Sequence, residues 1–97
     1  MLCELCQTDT ATSVHHLIPR TLHSNKWFKR RFSREELQRG VSLCGDCHRA
    51  VHRIVPREKD LGRRYNSLEA LHEHEKISGH VMWKRRRARQ EVAGAVS

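Results

Sequence analysis

Two Cys-x-x-Cys pairs are the strongest chemical signal in the chain. Cys3 and Cys6 lie at its start, and Cys44 and Cys47 lie near its middle. Two such pairs together supply the four thiolates of a tetrahedral zinc site. Because a four-thiolate site leaves no open position for a substrate, we expect zinc there to stabilise the fold rather than to react. A redox-active dithiol and unrelated free thiols are the alternatives.

Adjacent and helix-spaced histidines form a second group. His15 and His16 occupy a strand-like run over residues 14–18, where neighbouring side chains point to opposite faces. One of them can therefore hold a metal while the other reaches a substrate. His48 and His52 directly follow the second cysteine pair, and a helix from residue 45 or 46 places them one turn apart, at metal-ligand spacing. By contrast, no metal motif surrounds three C-terminal histidines, which we expect to be solvated: His72, His74 and His80.

Local patterns predict the elements that must position these residues. Residues 14–18 are predicted to form a strand that ends at Pro19. Residues 41–43 alternate as a second strand that leads to the second cysteine pair. The helix that follows is predicted to end before Pro56, with its apolar side facing the core.

Weaker signals describe the other segments. Ser33 and Glu36 form a capping box that predicts a short helix. Residues 57–65 are interpreted as a charged connector with Gly62 at its turn, and Asn66 as the cap of a further helix.

The charge balance indicates a polyanionic partner. Nineteen Lys and Arg residues against eleven Asp and Glu residues give a formal net charge of +8. Nucleic acid is the favoured partner because the arginines are clustered, although a soluble basic protein is the simpler alternative. Trp27 and Phe28 interrupt one basic stretch and either contact bases or pack into a thin core. The residues expected to contact phosphates are Arg20, Lys26, Lys29, Arg30, Arg31, Arg39, Lys84, Arg85, Arg86, Arg87 and Arg89.

Membrane and secretion signals are not found in the sequence. No apolar run approaches the roughly 20 residues that span a bilayer, and the first residues lack the pattern of a signal peptide. We therefore expect a cytoplasmic protein without a membrane partner. In that reducing compartment, metal binding by the cysteines is favoured over disulfides.

The chain resembles the HNH endonuclease family over residues 3 to 52. The resemblance rests on Cys3 and Cys6, on His15-His16-Leu17-Ile18-Pro19, and on Leu43-Cys44-Gly45-Asp46-Cys47-His48 with His52. It implies an α+β fold with two antiparallel strands and a helix around one metal ion. This small ββα-metal domain, stapled by the zinc site, would occupy residues 1–56. Residues 57–97 would form a helical, basic extension packed on the same domain.

The same resemblance implies roles for the histidines. His15 and His48 match ligands of a divalent ion, and His52 matches an extra helical histidine of the colicin-type members. His16 matches the general base, a role that suits an unligated imidazole near neutral pH. The implied reaction is hydrolysis of DNA phosphodiester bonds, leaving 5′ phosphate and 3′ hydroxyl ends. Imidazole ligands favour Zn²⁺, Ni²⁺ or Co²⁺, while Mg²⁺ and Mn²⁺ stay open.

One position departs from the family pattern. In many members an asparagine nine positions before the helix ligand holds the loop that orients the base, and Arg39 stands there. A non-catalytic zinc-ribbon nucleic-acid binder and a zinc-stapled protein-interaction module are the rival interpretations. Double-stranded DNA cut with low sequence specificity is the expected substrate, with RNA and single strands left open. The sequence does not separate a monomer from a homodimer.

Overall fold

The structure, a computed structural model, describes residues 1–96. The extension predicted over residues 57–97 thus has its last residue, Ser97, outside the described residues. In chain order the elements are β1 (Ser13–His16), a 3-10 turn (Arg20–Leu22), α1 (Lys26–Arg31), α2 (Arg34–Leu37), β2 (Gly40–Leu43), α3 (Gly45–Ile54), α4 (Glu58–Arg64), α5 (Leu68–Glu73) and α6 (Glu75–Val96). The predicted α+β class, with helices after the β1–β2–α3 unit, is confirmed.

The two strands form an antiparallel sheet that separates the adjacent histidines. His15 pairs with Val41, and His16 pairs with Gly40. Because side chains alternate along a strand, His15 is buried at 1% exposure whereas His16 is half-buried on the other face. A Cβ atom at residue 40 would lie only 2.6 Å from Val14 Cγ1. Glycine therefore permits the close approach of the strands beside the histidine pair.

β1 ends two residues earlier than predicted. Beyond His16 the Leu17 N–H donates to the Arg39 carbonyl at 3.1 Å, and the chain then leaves the sheet. Leu17 and Ile18 are both buried, but in different core clusters. The chain bends there because these consecutive apolar side chains serve two separate cores.

α3 follows the predicted bounds closely. Cys44 caps its N-terminus, where Cys44 Sγ accepts a hydrogen bond from Cys47 N at 3.4 Å. The helix ends at Ile54 because the next residue, Val55, precedes Pro56, and the residue before a proline is disfavoured in helical conformation. Ala50 and Val51 are buried, so the helix presents one apolar side to the core.

Buried residues form two core clusters. The larger combines the four cysteines with apolar residues from β2 and the last four helices, among them Leu43, Val51, Leu61, Leu71, Ile77 and Val81. The smaller comprises Ile18, Leu22, Phe28 and Leu37. Phe28 is fully buried, so the core interpretation holds for this residue. Trp27 is half-buried, and the guanidinium carbons of Arg31 and Arg63 lie 4.0 and 4.6 Å from its ring centre.

The connector predicted over residues 57–65 is wrong, because residues 58–64 form α4. Gly62 lies inside this helix and is buried rather than exposed in a turn. A Cβ atom there would lie 2.9 Å from Phe28 Cε1 and 3.0 Å from Leu22 Cδ1. The glycine therefore allows α4 to pack tightly on the smaller core cluster, and that burial offsets the low helix propensity of glycine.

Side-chain caps define the neighbouring helix ends. The predicted capping box of α2 is confirmed: Ser33 and Glu36 each accept a hydrogen bond from the other's backbone amide. The prediction that Asn66 caps α5 is wrong. Ser67 caps this helix, and its hydroxyl accepts a hydrogen bond from Ala70 N at 3.0 Å. Asn66 instead donates to the Gly62 carbonyl and closes the end of α4. None of the described helices is both long and apolar enough to cross a bilayer.

Candidate metal centre

The four cysteine sulfurs meet in one buried cluster. Their Sγ atoms all lie within 4.8 Å of one another, and Cys6 Sγ is 3.9 Å from Cys44 Sγ. Tetrahedral zinc with bonds of about 2.3 Å would hold its sulfurs about 3.8 Å apart, whereas a disulfide holds them at about 2.05 Å. The cluster is therefore a candidate structural metal site with the dimensions that zinc requires.

A tight turn in the first cysteine pair directs both sulfurs to the same point. Gln7 has a φ of 60°, in the left-handed region, and its amide donates to the Cys3 carbonyl at 2.9 Å. The adjacent Thr8 hydroxyl donates to Cys6 Sγ at 3.4 Å. Glu4 fastens this turn to β2, since its carboxylate accepts from Ser42 N at 2.6 Å. The turn and the start of α3 thus bring the two pairs together.

The thiols of the cluster differ in acidity. Burial raises the pKa of Cys6, but hydrogen bonds from Thr8 and from the Asp9 amide outweigh it and bring the pKa to about 6. At Cys44 and Cys47, burial raises the pKa; hydrogen bonds from Cys47 offset part of this rise at Cys44, and the charges of Cys3 and Cys6 add to it at both. Four thiolates so close together repel one another, and a cation between them offsets both burial and repulsion.

A second cluster contains His15 from β1 with His48 and His52 from α3. One nitrogen from each imidazole lies within 4.8 Å of one nitrogen from each of the other two, and the ring centres are 5.1 to 5.4 Å apart. His15 is buried, His48 half-buried and His52 exposed, so the cluster runs from the core to the surface. The structure therefore brings together all three histidines predicted as ligands.

The histidine cluster fits a divalent transition-metal ion. His15 Nε2 is buried and has no hydrogen-bond partner among the described residues. The pKa of His15 is lowered to about 4, mainly by burial and to a smaller extent by the neighbouring His52, His48 and His16. Its ring is therefore neutral at neutral pH. Ser13 Oγ and His48 Nδ1 share a hydrogen bond of 2.7 Å, which an ion bound through Nε2 would leave in place. A neutral imidazole such as His15 and an oriented one such as His48 are suitable ligands for Zn²⁺, Ni²⁺ or Co²⁺.

His16 faces away from this cluster and towards a histidine that the sequence did not indicate. The ring centre of His23 lies 6.2 Å from that of His16, and His23 Nε2 donates to the Ile18 carbonyl at 2.8 Å. The turn before α1 brings His23 back, a contact that no spacing pattern reveals. The Arg39 carbonyl holds the chain next to His16, while the Arg39 side chain is exposed. A backbone group, and not the Arg39 side chain, therefore holds the chain beside His16.

Two of the predicted phosphate-contacting residues have structural roles instead. Lys84 is buried, and its Nζ donates to Asp9 at 3.1 Å and to Asp46 at 2.9 Å. Burial lowers the pKa of Lys84, but these hydrogen bonds raise it above its usual range. Arg85 Nε donates to the Cys6 carbonyl at 3.1 Å. Arg85 thus holds α6 against the first cysteine pair, and Lys84 joins α6 to Asp9 and to α3, so neither belongs to a free basic surface.

The other predicted basic residues are exposed: Arg20, Lys26, Lys29, Arg30, Arg31, Arg39, Arg86, Arg87 and Arg89. Sequence reasoning missed Arg49 and Arg53, two exposed residues on α3. Their positions in the sequence could have indicated them, because each directly follows one of the two helical histidines. The C-terminal histidines are half-buried rather than fully solvated, and His80 Nε2 is buried without a partner among the described residues.

The cysteine and histidine clusters are joined through α3. Cys47 belongs to the first cluster and His48, the next residue, belongs to the second. A metal ion held by the cysteines would therefore fix the start of the helix that carries two of the three histidines. Comparison of the chain with protein-family models, curated proteins and solved structures gives no match.

Proposed function

We propose that this protein is a metal-dependent endonuclease of the HNH type that hydrolyses DNA phosphodiester bonds. The observation that best supports the proposal is the arrangement of four histidines on β1 and α3. His15, His48 and His52 converge on one point, while His16, adjacent to His15, faces the other side of the sheet. This matches the division between ligands and general base that the family resemblance implies.

In the proposed reaction each histidine has one task. The three clustered imidazoles would hold a divalent ion, which would supply charge stabilisation for the phosphate and the leaving oxygen. His16 accepts a proton from the water that attacks phosphorus in line. The bond from phosphorus to the 3′ oxygen breaks, and that oxygen takes a proton from solvent. The products are a 5′ phosphate and a 3′ hydroxyl.

The positive surface supports nucleic acid as the substrate. The net charge is +8, and nine of the predicted phosphate-contacting residues are exposed. Each phosphate neutralised by such a residue releases counterions, so binding should weaken steeply as salt rises. The expected contacts are to phosphates rather than to base edges, which suggests low sequence specificity.

A zinc-ribbon protein that binds nucleic acid without catalysis is the second candidate. It accounts for the cysteine cluster and for the charge. It leaves the buried His15 Nε2 without a partner, an arrangement that costs about 1–3 kcal/mol in an ordinary core. A protein-interaction module leaves both the histidine cluster and the basic surface unexplained.

A plasmid-nicking assay tests the proposal. The full chain, loaded with one equivalent of Zn²⁺, is incubated with supercoiled plasmid and Mg²⁺, Mn²⁺, Ni²⁺, Co²⁺ or further Zn²⁺. We expect at least one ion to support conversion to the open circle, and His16→Ala to slow it about 100-fold or more. His72→Ala, at a half-buried residue outside both clusters, is the matched control and should retain activity.

Two outcomes would contradict the nuclease. Plasmid that stays supercoiled with every ion, while a mobility shift shows binding, would favour the zinc-ribbon candidate. Equal nicking by wild type and His16→Ala would exclude His16 as the base.

A further inference from the structure

α3 and α6 form the walls of a cleft of about 770 Å³, here named the α3–α6 cleft. Its lining residues recur at helical spacing on both walls: Asp46, Arg49, Arg53 and Ile54 on α3, and Lys76, His80, Trp83 and Arg87 on α6. Because residues three or four apart share a helix face, the cleft is built by one face of each helix. Its volume lies within the range of about 300–1,000 Å³ that is typical of ligand sites.

The α3–α6 cleft is positively charged. Its single carboxylate, Asp46, is held by Lys84 at 2.9 Å and by Arg49 at 2.7 Å. Arg53 and Lys76 are exposed, and neither forms an ion pair within the part of the chain that the structure describes. Two free cations facing a cleft favour an anion, and a phosphate group is the anion that this basic protein is expected to meet.

A large aromatic ring lies within this charged cleft. Trp83 is a large hydrophobic residue, but its side chain is 46% exposed. The half-buried His80 ring lies 6.0 Å from it, and the Arg87 guanidinium carbon lies 5.4 Å from its centre. Nucleobases stack on such rings regardless of sequence, and phosphates follow the neighbouring cations. An acidic peptide would use the cations but would leave the Trp83 ring uncovered.

We propose that the α3–α6 cleft binds one unpaired nucleotide, with its base on Trp83 and its phosphate on Arg53 and Lys76. The inference rests on the proposed function, because it takes a nucleic-acid strand as the ligand. Arg49 lines both this cleft and the shallow depression that contains His48 and His52. The bound nucleotide therefore belongs to a strand that passes the histidine cluster. The substrate class is then DNA with a single-stranded or frayed segment, since a paired base offers no free face.

Fluorescence anisotropy with two labelled probes tests the cleft. One probe is a twelve-nucleotide oligothymidylate, and the other is an abasic strand with the same number of phosphates. The full chain carries one equivalent of Zn²⁺ and no further divalent ion. We expect Trp83→Ala to bind the thymidylate about 10-fold more weakly and the abasic strand unchanged.

Matched variants separate stacking from charge and from folding. Met82→Ala, at a 60% exposed residue that does not line the cleft, should bind both probes as wild type does. Trp83→Phe keeps an aromatic ring and should retain most of the affinity. Arg53→Ala should weaken the binding of both probes. It should also reduce the slope of the logarithm of the binding constant against the logarithm of the salt concentration by about 0.7, because one phosphate contact is lost.

The proposal is overturned if Trp83→Ala binds the thymidylate as wild type does, or loses equal affinity for both probes. It is also overturned if polyglutamate displaces the thymidylate from wild type as effectively as unlabelled thymidylate does, which would indicate an acidic protein partner. Photocrosslinking of a bromouracil-substituted probe to wild type should label Trp83, and a label elsewhere contradicts the site. If the protein nicks plasmid but its binding does not depend on the base, only the proposed nucleotide site in the α3–α6 cleft is contradicted. If its binding depends on the base but it does not nick plasmid, only the proposed nuclease activity is contradicted.

Discussion

The substitution His15→Leu should affect stability in opposite directions with and without an ion in the histidine cluster. Without the ion, His15 Nε2 is buried and has no partner among the described residues. An unsatisfied buried polar atom costs about 1–3 kcal/mol, and leucine has nearly the same volume without a polar atom. We therefore expect the variant to be about 1–3 kcal/mol more stable than wild type when only the cysteine cluster is loaded.

Binding of an ion should reverse this order. An ion at 100 times its dissociation constant stabilises a protein by about 2.7 kcal/mol, provided that it binds only the folded state. Wild type should gain this amount with excess Co²⁺, because its three imidazoles converge. His15→Leu keeps only two of the three ligands and should gain little.

Urea unfolding, followed by circular dichroism, measures both effects. Each protein carries one equivalent of Zn²⁺ and is unfolded with and without excess Co²⁺. His72→Leu is the control, and it should show the same gain from Co²⁺ as wild type. The reasoning is refuted if His15→Leu is less stable than wild type without Co²⁺, or if it keeps the full gain with Co²⁺.

Three further predictions concern packing and charge, each measured by urea unfolding. Gly62→Ala should destabilise the fold by about 1–3 kcal/mol, because the added methyl group would meet Phe28. Gly79→Ala, whose added methyl group would have no neighbour within 4 Å, should stabilise the fold by about 0.5–1 kcal/mol. Equal effects of the two substitutions would contradict the packing of α4. Lys84→Met should lower the free energy of unfolding by about 1–2 kcal/mol. This loss is smaller than for a fully buried ion pair, because the carboxylates of Asp9 and Asp46 are about half exposed. An unchanged stability would show that the two ion pairs contribute nothing. Burial, followed by nearby cations, lowers the pKa of His80, so the unfolded chain takes up a proton below about pH 6.5 that the folded chain does not. Stability should therefore fall from pH 7.5 to pH 6, and His80→Leu should fall less; an identical pH dependence would contradict this role.

The parts of the fold that depend on neighbouring residues were predictable. The capping box at Ser33 and the start of α3 at Gly45 follow from side chains within one helical turn. The cysteine cluster was also predictable, because paired thiols carry their own geometric requirement. The convergence of His15 with His48 needed the family resemblance, since nothing local relates β1 to α3.

Features that depend on distant contacts were not predictable. Residues 58–64 have the charged composition of a connector, but the burial of Leu61 and of Gly62 in the core stabilises a helix there. The run that contains Lys84 looks uniformly solvated, but the partners of Lys84 lie 75 and 38 residues away. Likewise, the approach of His23 to His16 depends on a turn whose direction no residue pattern specifies.

The division of both clusters between distant parts of the chain has a consequence for synthesis. Cys3, Cys6 and His15 leave the ribosome first, but their partners on α3 are made later. At about 5–20 residues per second, the first cysteine pair waits for several seconds before the second exists. The histidine cluster is incomplete for the same interval, and Lys84 joins later still. A chain that ends before Cys47 therefore has neither complete cluster, and the proposed nuclease cannot become active before His52 has been made.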